Sequence, residues 1–376
     1  MISRMQMVTT DLDLGHIPAR PRRSNFRIGA IGSGFIMRDV QLPAYKAAGF
    51  EVTAIASQSR ERASEVAALR EIPHVHDNWR DLLRNASIDI LDIAVPPHLQ
   101  PEIIGAAAAG DSALKGILAQ KPLAMSYANA LSTVETCEKA GICLAVNQNM
   151  RYDQSIRALK TLLDRGDLGE AVLATIEMRA IPHWQAWLEQ YDGLTLSAMS
   201  IHHLDCFRFL FGDPESVYAS ARKDPRTRFA HQDGIVLYIL EYDSGLRASS
   251  WDDVWTGPAQ EGAASDLYIK WRVEGTEGIA QGTIGWPYYP NAVPSTIEFA
   301  TLRSPGVWFR PKWNEVWFPD AFQGTMGELM DSMASGREPS ISGRDNLKTV
   351  ALVEACYRSL KEHRPVYICE ITGEGQ

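Results

Sequence analysis

From residue 26 onward, short apolar runs alternate with longer stretches in which apolar residues recur at helical spacing. Short apolar runs rich in β-branched residues are typical of buried strands, whereas the longer periodic stretches predict helices. The predicted strands are 26–31, 51–57, 74–76, 88–95, 116–119 and 142–146, and the predicted helices are 38–48, 60–69, 79–85, 101–109 and 127–140. Strands that alternate with helices indicate parallel βαβ units and a doubly wound sheet.

The pattern changes after Arg151. Strand-like runs then follow one another, separated by turn signals such as Asp243-Ser244-Gly245. The predicted strands are 171–179, 216–221, 235–242, 246–252, 269–274, 278–283, 295–301 and 307–309, and the predicted helices are 154–165, 321–335 and 346–363. We therefore predict an α/β Rossmann domain followed by an α+β domain with a large, mostly antiparallel open sheet.

The predicted organisation is an N-terminal arm at 1–25, a dinucleotide-binding domain at 26–148 and a substrate-binding and oligomerisation domain at 149–376. The C-terminal helix 346–363 is expected to pack back on the Rossmann domain. Nine of the ten tryptophans follow residue 151, and an aromatic sheet face needs a partner. We expect a homo-oligomer, a dimer or a tetramer, formed through the C-terminal sheet.

Composition and charge narrow the class of protein. The chain is 45% hydrophobic and 22% charged, as in ordinary globular proteins, and its length favours two domains. The net charge of −9 argues against nucleic acid or an anionic membrane as a partner. We see no apolar run long enough to span a membrane, no secretory signal and no CxxC pair among the five cysteines. These features favour a cytoplasmic protein with reduced thiols.

A Gly-Ser-Gly motif follows the first predicted strand and opens the first helix. Gly32 allows a tight turn, and Gly34 lets the backbone approach a pyrophosphate. Phe35 and Ile36 begin the helix, whose N-terminal N–H groups attract phosphates. Met37 stands where the motif has a small residue, so we expect helix and strand to lie farther apart. The motif predicts that Gly32, Gly34, Phe35 and Ile36 bind NAD(P).

The end of the second predicted strand is expected to contact the adenosine ribose. A carboxylate there would bind the 2′-hydroxyl of NAD, but this chain has Ser57, Gln58 and Arg60. No acid in this segment repels a 2′-phosphate, and Arg60 either holds that phosphate or stacks on the adenine. NADP is therefore slightly favoured, and NAD remains open.

Lys121 follows the predicted strand at 116–119, and ligands of open α/β sheets bind at this end of the strands. A lysine in that place polarises a carbonyl or lowers the pKa of a hydroxyl, unless it simply extends into solvent.

Three segments together, 32–34, 120–122 and 202–205, resemble the Gfo/Idh/MocA family of nicotinamide-dependent oxidoreductases. The resemblance covers residues 26–368. The family signature is Glu-Lys-Pro, and Gln120 stands here in place of the acid. The resemblance implies that Lys121 hydrogen-bonds the reacting oxygen and that the peptide bond before Pro122 is cis.

The resemblance also implies that His202 is the catalytic histidine and that Asp205 is the trailing acid. Ala198 stands where the family has an acid four positions before the histidine. His203 is expected to pack, to cap or to contact substrate, because adjacent histidines do not face the same pocket. A zinc site formed by His183 with these residues is the alternative, although adjacent histidines are poor tetrahedral ligands.

The remaining candidates divide between cofactor and substrate. The resemblance places Val95 and Pro96 in a loop over the nicotinamide and Asn149 at the domain crossing. Gln120 and Lys121 complete the predicted cofactor-binding set. The predicted substrate-binding residues are Arg151, Tyr152, Arg179, His183, Trp184, His203 and Asp205.

The predicted reaction is a hydride transfer between NAD(P) and a carbinol carbon, with His202 exchanging the hydroxyl proton and Lys121 stabilising the alkoxide. A sugar, a polyol or a sugar acid is the substrate that the resemblance implies. Two alternatives keep the cofactor. One is an oxidoisomerase or lyase that oxidises transiently, and the other is a non-catalytic dinucleotide-binding protein, which Gln120 and Ala198 would favour.

Overall fold

The structure, a computed structural model, describes residues 6–10, 12–84, 87–110, 114–179, 186–226, 229–253, 267–285 and 292–373. The chain divides into two compact units. The dinucleotide unit comprises Pro18–Asn149 and Phe318–Val350. The sheet unit comprises Met1–Ile17, Met150–Trp317 and Ala351–Gln376.

Strands and helices are numbered here in chain order over the described residues. The strands are β1 (Gln6–Thr10), β2 (Arg27–Ile31), β3 (Glu51–Ala56), β4 (His74–His76), β5 (Ile90–Ile93), β6 (Gly116–Ala119), β7 (Cys143–Val146), β8 (Ala171–Arg179), β9 (Ser216–Arg222), β10 (Ile235–Glu241), β11 (Arg247–Asp253), β12 (Tyr268–Gly275), β13 (Gly278–Ile284), β14 (Thr296–Thr301), β15 (Val307–Pro311) and β16 (Val366–Tyr367). The helices are α1 (Leu42–Ala48), α2 (Arg60–Arg70), α3 (Trp79–Leu83), α4 (Gln100–Ala109), α5 (Tyr127–Lys139), α6 (Gln154–Asp164), α7 (Ile201–Phe211), α8 (Phe322–Ser335), α9 (Gly343–Glu362) and α10 (Cys369–Thr372).

A parallel sheet in the order β4-β3-β2-β5-β6-β7 forms the centre of the dinucleotide unit. This is the doubly wound Rossmann order, in which the chain reverses direction across the sheet between β2 and β5. Except for the edge strand β4, its strands are largely buried and apolar because helices cover both faces. Leu347 and Val350 of α9 lie in the same apolar core as Ile117 and Val146. The predicted Rossmann fold is confirmed.

Polar caps explain where three helices of this unit begin. The side chains of Ser59, Asn78 and Ser126 accept hydrogen bonds from backbone N–H groups in the first turns of α2, α3 and α5. Each cap satisfies a donor that the helix itself leaves without a partner. The Ser59 cap fixes the start of α2 at Arg60, shortly after β3 ends at Ala56.

A sheet in the order β1-β15-β14-β13-β12-β8-β11-β10-β9-β16 dominates the sheet unit. Its pairs are antiparallel except for β1 with β15 and β8 with β11. On the covered face, the Trp271 indole donates to Ser155 of α6 at 3.1 Å, and Ser359 of α9 accepts from the backbone of Ala219 at 2.9 Å. The predicted large, mostly antiparallel sheet is confirmed.

Two segments differ from the predicted organisation. No element was expected within residues 1–25, yet β1 pairs in parallel with β15 in the sheet unit. Residues 318–350 were expected in the second domain but lie in the dinucleotide unit. The reason is that α8 packs on β6, where a Cβ on Gly116 would lie 2.4 Å from the Met333 sulfur. Such packing depends on residues far apart in sequence.

Three observations concern the class of protein. None of the helices in the described part of the chain is both long and apolar enough to cross a membrane. Within the same described ranges, no group of three or more His, Cys, Asp and Glu side chains is arranged to hold a metal ion. Each of the five cysteines, all of them described, is a free thiol.

Candidate functional site

The glycine turn lies where the carboxyl ends of three strands of the dinucleotide unit meet. Gly32 has φ +118°, and a Cβ there would lie 2.3 Å from the carbonyl oxygen of Ala94, directly after β5. Its N–H donates to the carbonyl of Ala56 at the end of β3 at 2.9 Å. Only glycine fits this position, because both the conformation and the close approach exclude a side chain.

Gly34, two residues later, faces open space. A Cβ built on it meets no heavy atom of the described residues within 4 Å. Phe35 and Ile36 begin a helical segment whose first turn is π-helical, and Met37 is completely buried in that turn. The N–H groups at a helix N-terminus, next to open space, are suited to bind a pyrophosphate. The residues of this turn therefore fit the predicted dinucleotide.

Ser57, Gln58 and Arg60 follow β3, and Ser57 lies beside the glycine turn. The hydroxyl oxygens of Ser33 and Ser57 are 2.8 Å apart, which ties the turn to the strand end. The Arg60 guanidinium forms an exposed ion pair with Asp77, a residue that the sequence did not assign to the site. The serines and Arg60 suit a 2′-phosphate, whereas Asp77 competes for the guanidinium.

Gln120 and Lys121 follow β6, and one side chain of α4 holds their backbone. The fully buried Gln100 amide accepts from the N–H of Gln120 at 2.7 Å and donates to the carbonyls of Gln120 and Pro122, both at 2.8 Å. The Lys121–Pro122 bond is cis, as the resemblance implies. The resemblance marks Gln100 only as standing where a histidine is common, and the sequence did not show its contacts because the partners lie 20 and 22 positions away.

Lys121 is half-buried, and burial lowers the pKa of its ammonium to about 8. Desolvation disfavours the charged form, so this lysine gives up a proton more readily than an exposed one. Near neutral pH it still carries the proton with which it can stabilise a developing oxyanion. This combination suits a hydrogen-bond donor to a reacting oxygen.

The other predicted cofactor residues lie in the same unit. Val95 and Pro96 are half-buried directly after β5, just before a 3₁₀ turn at Pro97–Leu99. Asn149 is buried after β7, and its amide donates to the carbonyl of Asn147 at 3.3 Å. All of them follow the carboxyl ends of strands in this sheet.

His202 lies in the first turn of α7 in the sheet unit and is 5% exposed. Trp317 meets its ring edge-on, with ring centroids 6.2 Å apart. The turn before α7 is held by Asp233, whose carboxylate accepts from the N–H groups of Leu194 at 2.6 Å and Leu196 at 2.9 Å. The backbone that leads to His202 is therefore fixed by a buried acid.

His203 is completely buried and its Nδ1 lies 2.9 Å from a carboxylate oxygen of Asp252, itself completely buried on β11. This geometry gives no support to the predicted substrate contact of His203, because its ring is enclosed among core side chains. The structure assigns His203 to a polar network inside the sheet unit.

Arg151 and Asp205 bind each other. The Arg151 Nε and Nη2 atoms donate to the two Asp205 oxygens at 2.5 and 2.7 Å, and both side chains are almost completely buried. Removing one partner of such a pair leaves a buried charge and is strongly destabilising. The geometry therefore gives these two predicted substrate residues a structural role, which joins the segment before α6 to α7.

The remaining predicted substrate residues have different surroundings. Tyr152 is buried in a 3₁₀ turn. Arg179 ends β8, is partly exposed, and lies 3.6 Å from the Asp253 carboxylate. His183 and Trp184 lie outside the described residues. The zinc alternative needed His183 together with His202, His203 and Asp205, but His203 contacts Asp252 and Asp205 binds Arg151.

Comparison with known proteins agrees with the two-unit architecture. The model of an oxidoreductase family with an NAD-binding Rossmann fold matches residues 26–148, and the model of its C-terminal α/β domain matches residues 160–368. The chain is 28% identical over 358 residues to D-apiose dehydrogenase of Paraburkholderia graminis, covering 93% of this chain and 91% of the relative. It is 28% identical over 334 residues to inositol 2-dehydrogenase of Serratia proteamaculans, and the match covers 88% of this chain and 92% of the relative.

A similar solved structure is an oxidoreductase of Agrobacterium radiobacter in complex with NAD+, L-tartaric acid and magnesium. It superposes with a TM-score of 0.77 at 25% identity, and the match covers 92% of this chain and 99% of the Agrobacterium chain. The two family models span most of the chain, and the strand order of the parallel sheet agrees with the Rossmann fold of the first model. The chain therefore belongs to the Gfo/Idh/MocA family of oxidoreductases, with an NAD-binding Rossmann domain and the family's C-terminal α/β domain.

Proposed function

We propose that this chain is an NAD(P)-dependent dehydrogenase that acts on a carbinol group of a sugar, a polyol or a sugar acid. The observation that carries the proposal is Lys121, whose backbone Gln100 holds at the carboxyl end of β6 and whose pKa burial lowers to about 8. Relatives named for apiose and inositol support the substrate class.

The glycine turn and the end of β3 would hold the dinucleotide, which, when bound, supplies hydride exchange with the carbinol carbon. Lys121 donates a hydrogen bond to the reacting oxygen and stabilises its negative charge. His202 accepts the hydroxyl proton in the oxidation and returns it in the reduction, because an imidazole nitrogen can serve as general base and then as general acid. Arg179, at the carboxyl end of β8, binds hydroxyl or carboxylate oxygens of the substrate.

The test is the absorbance of reduced nicotinamide, followed with NAD and NADP across aldoses, inositols and sugar acids. Lys121→Met is expected to lower kcat/KM by about 100-fold, the usual cost of removing one donor to an oxyanion. The cofactor Kd should change by less than about 3-fold, because the pyrophosphate is held by the glycine turn.

The matched control is Lys115→Met, because Lys115 is an exposed lysine directly before the same strand. It should keep wild-type kinetics. A Lys121→Met enzyme that turns over a substrate of the wild type at the wild-type rate would refute the proposal.

We also infer that a second copy of the chain covers the outer face of the large sheet. Tyr218, Leu237 and Ile239 are exposed there, and the strand register pairs Tyr218 with Ile239 and Leu237 with Trp251. Contiguous exposed apolar area of this kind marks an interface. Ile239→Lys is expected to lower the molar mass measured by light scattering, and an unchanged mass would contradict the inference.

A further inference from the structure

A buried carboxylate binds the segment that carries His202. Asp252 of β11 is completely buried and accepts hydrogen bonds from the hydroxyls of Ser200 and, at 3.0 Å, Ser250. Its other contact is the Nδ1 atom of His203 at 2.9 Å. Ser200 and His203 are also completely buried, and they flank His202 in the sequence. One strand residue therefore holds the chain on both sides of His202.

Helix geometry explains what these contacts do. Residues three apart lie on the same face of a helix, so Ser200 and His203 both point towards β11. His202 is about 100° away from His203 around the helix axis, so its side chain leaves that face. The two contacts to Asp252 therefore fix the rotation of α7 and with it the direction of the His202 ring.

The groups that contact Asp252 favour a role in orienting α7 over a role in stabilising the fold. Within the part of the chain that the structure describes, Asp252 contacts two hydroxyls and an imidazole, and no lysine or arginine lies among its partners. A buried carboxylate is costly unless it is fully hydrogen-bonded, and apolar residues of similar volume are often as stable. Conformational specificity is therefore the better reason for its presence.

Ala198 adds a second observation, because it stands where the family resemblance implies an acid near the histidine. Asp252 brings a carboxylate to the same segment from the neighbouring strand. We propose that Asp252 is a positioning residue, which orients His202 for proton exchange by holding α7 through Ser200 and His203. The inference rests on the proposed function, in which His202 exchanges the substrate proton.

The experiment compares three variants with one matched control. Asp252→Ala removes the acceptor, Asp252→Asn keeps an acceptor oxygen for Ser200 and a polar atom for His203, and Ser200→Ala removes a single contact. The control is Ser359→Ala, another completely buried serine of the sheet unit, whose hydroxyl donates to the carbonyl of Arg364 at 2.7 Å.

If Asp252 positions His202, its variants should lower kcat while the substrate KM and the cofactor Kd stay nearly constant. Asp252→Ala should lower kcat by about 30-fold, since small misplacements of a catalytic group cost up to about 100-fold. The Asn variant should recover to within about 3-fold of wild type, and Ser200→Ala should fall between them. Substrate KM and cofactor Kd should stay within about 3-fold. Ser359→Ala should lower Tm as Ser200→Ala does and leave kcat unchanged.

His202→Gln separates failure of the inference from failure of the proposed function. If His202→Gln keeps wild-type kcat, His202 is not catalytic and both are overturned. If His202→Gln is inactive while Asp252→Ala and Ser200→Ala keep wild-type kcat, the inference alone is overturned. An Asn variant as slow as the Ala variant also overturns it, because charge rather than orientation would then matter. Should Asp252→Ala fail to fold, the Asn and Ser200 variants decide.

Discussion

Gly34→Ala tests whether the open space beside the glycine turn holds the pyrophosphate. The new methyl group would meet no heavy atom of the described residues within 4 Å, and Gly34 does not have positive φ. The folded state therefore loses no contact, while the unfolded chain loses some conformational freedom. We expect the free energy of unfolding to change by less than about 1 kcal/mol.

Dinucleotide binding should respond differently. The methyl group takes the space through which the backbone approaches a pyrophosphate, so at least one hydrogen bond from the turn to a phosphate oxygen is lost. A hydrogen bond to a charged group contributes about 1.5–3 kcal/mol. Dinucleotide affinity should therefore fall by about 10- to 100-fold. Fluorescence titration with NADH and NADPH measures it, and thermal unfolding of the same preparations shows that the variant is folded.

Two other glycines provide the controls. Gly105 of α4 also has open space around its Cβ, so Gly105→Ala should leave dinucleotide affinity unchanged and stabilise the helix by up to about 1 kcal/mol. Gly32→Ala should destabilise the fold, because its Cβ would collide with the Ala94 carbonyl at 2.3 Å. A folded Gly34→Ala protein that binds both dinucleotides with wild-type affinity would refute the assignment of this space to the pyrophosphate.

Three further predictions follow from charged groups in the dinucleotide unit. Because the pKa of Lys121 is about 8, kcat/KM should decline as pH rises through 8, and Lys121→Arg should move the decline to higher pH; identical pH profiles would contradict this. Asp77→Ala releases Arg60 from its ion pair, so the NADPH affinity should rise several-fold relative to that for NADH, and an unchanged ratio of the two Kd values would count against a phosphate contact for Arg60. Burial raises the pKa of Asp92 from 3.8 to about 7, so between these values the native state holds a proton that the unfolded state has lost. Stability should therefore fall as pH rises through this window, by at most about 3 kcal/mol between pH 5 and pH 8, and Asp92→Asn should remove that loss. Urea unfolding at these two pH values measures it, and an equal loss in the variant would disprove the assignment.

The sequence predicted the dinucleotide unit well because its signals are local. Apart from the edge strand β4, the parallel strands are short apolar runs that are largely buried, and α2, α3 and α5 begin at polar caps. The glycine turn and the Lys121 loop directly follow such strands, so their place at the carboxyl ends follows from the strand assignment. The predicted strand at 88–95 is longer than β5 (Ile90–Ile93), but it is a strand of the parallel sheet, as predicted.

The environment of each side chain in the sheet unit was less predictable, because it depends on residues far away in the sequence. Arg151 has the chemistry of a carboxylate-binding residue, but the carboxylate that it binds is Asp205, 54 positions later. The difference between His202 and His203 is likewise set by Asp252, 49 positions from His203. Residue type alone therefore identified groups able to bind an acid or move a proton, without showing which of them are already engaged inside the protein.

The two departures from the family pattern have a common physical consequence. At Gln120 and at Ala198 an acid that the resemblance implies is replaced by an uncharged residue next to a proposed catalytic group. A carboxylate beside Lys121 would raise its pKa by Coulombic attraction, whereas Gln120 leaves burial to lower that pKa to about 8. In both places a buried polar side chain holds the segment instead: Gln100 bonds the backbone around Lys121, and Asp252 bonds the side chains of Ser200 and His203 beside His202. At each departure, the segment that carries a proposed catalytic group is therefore held by a residue from another element of the fold.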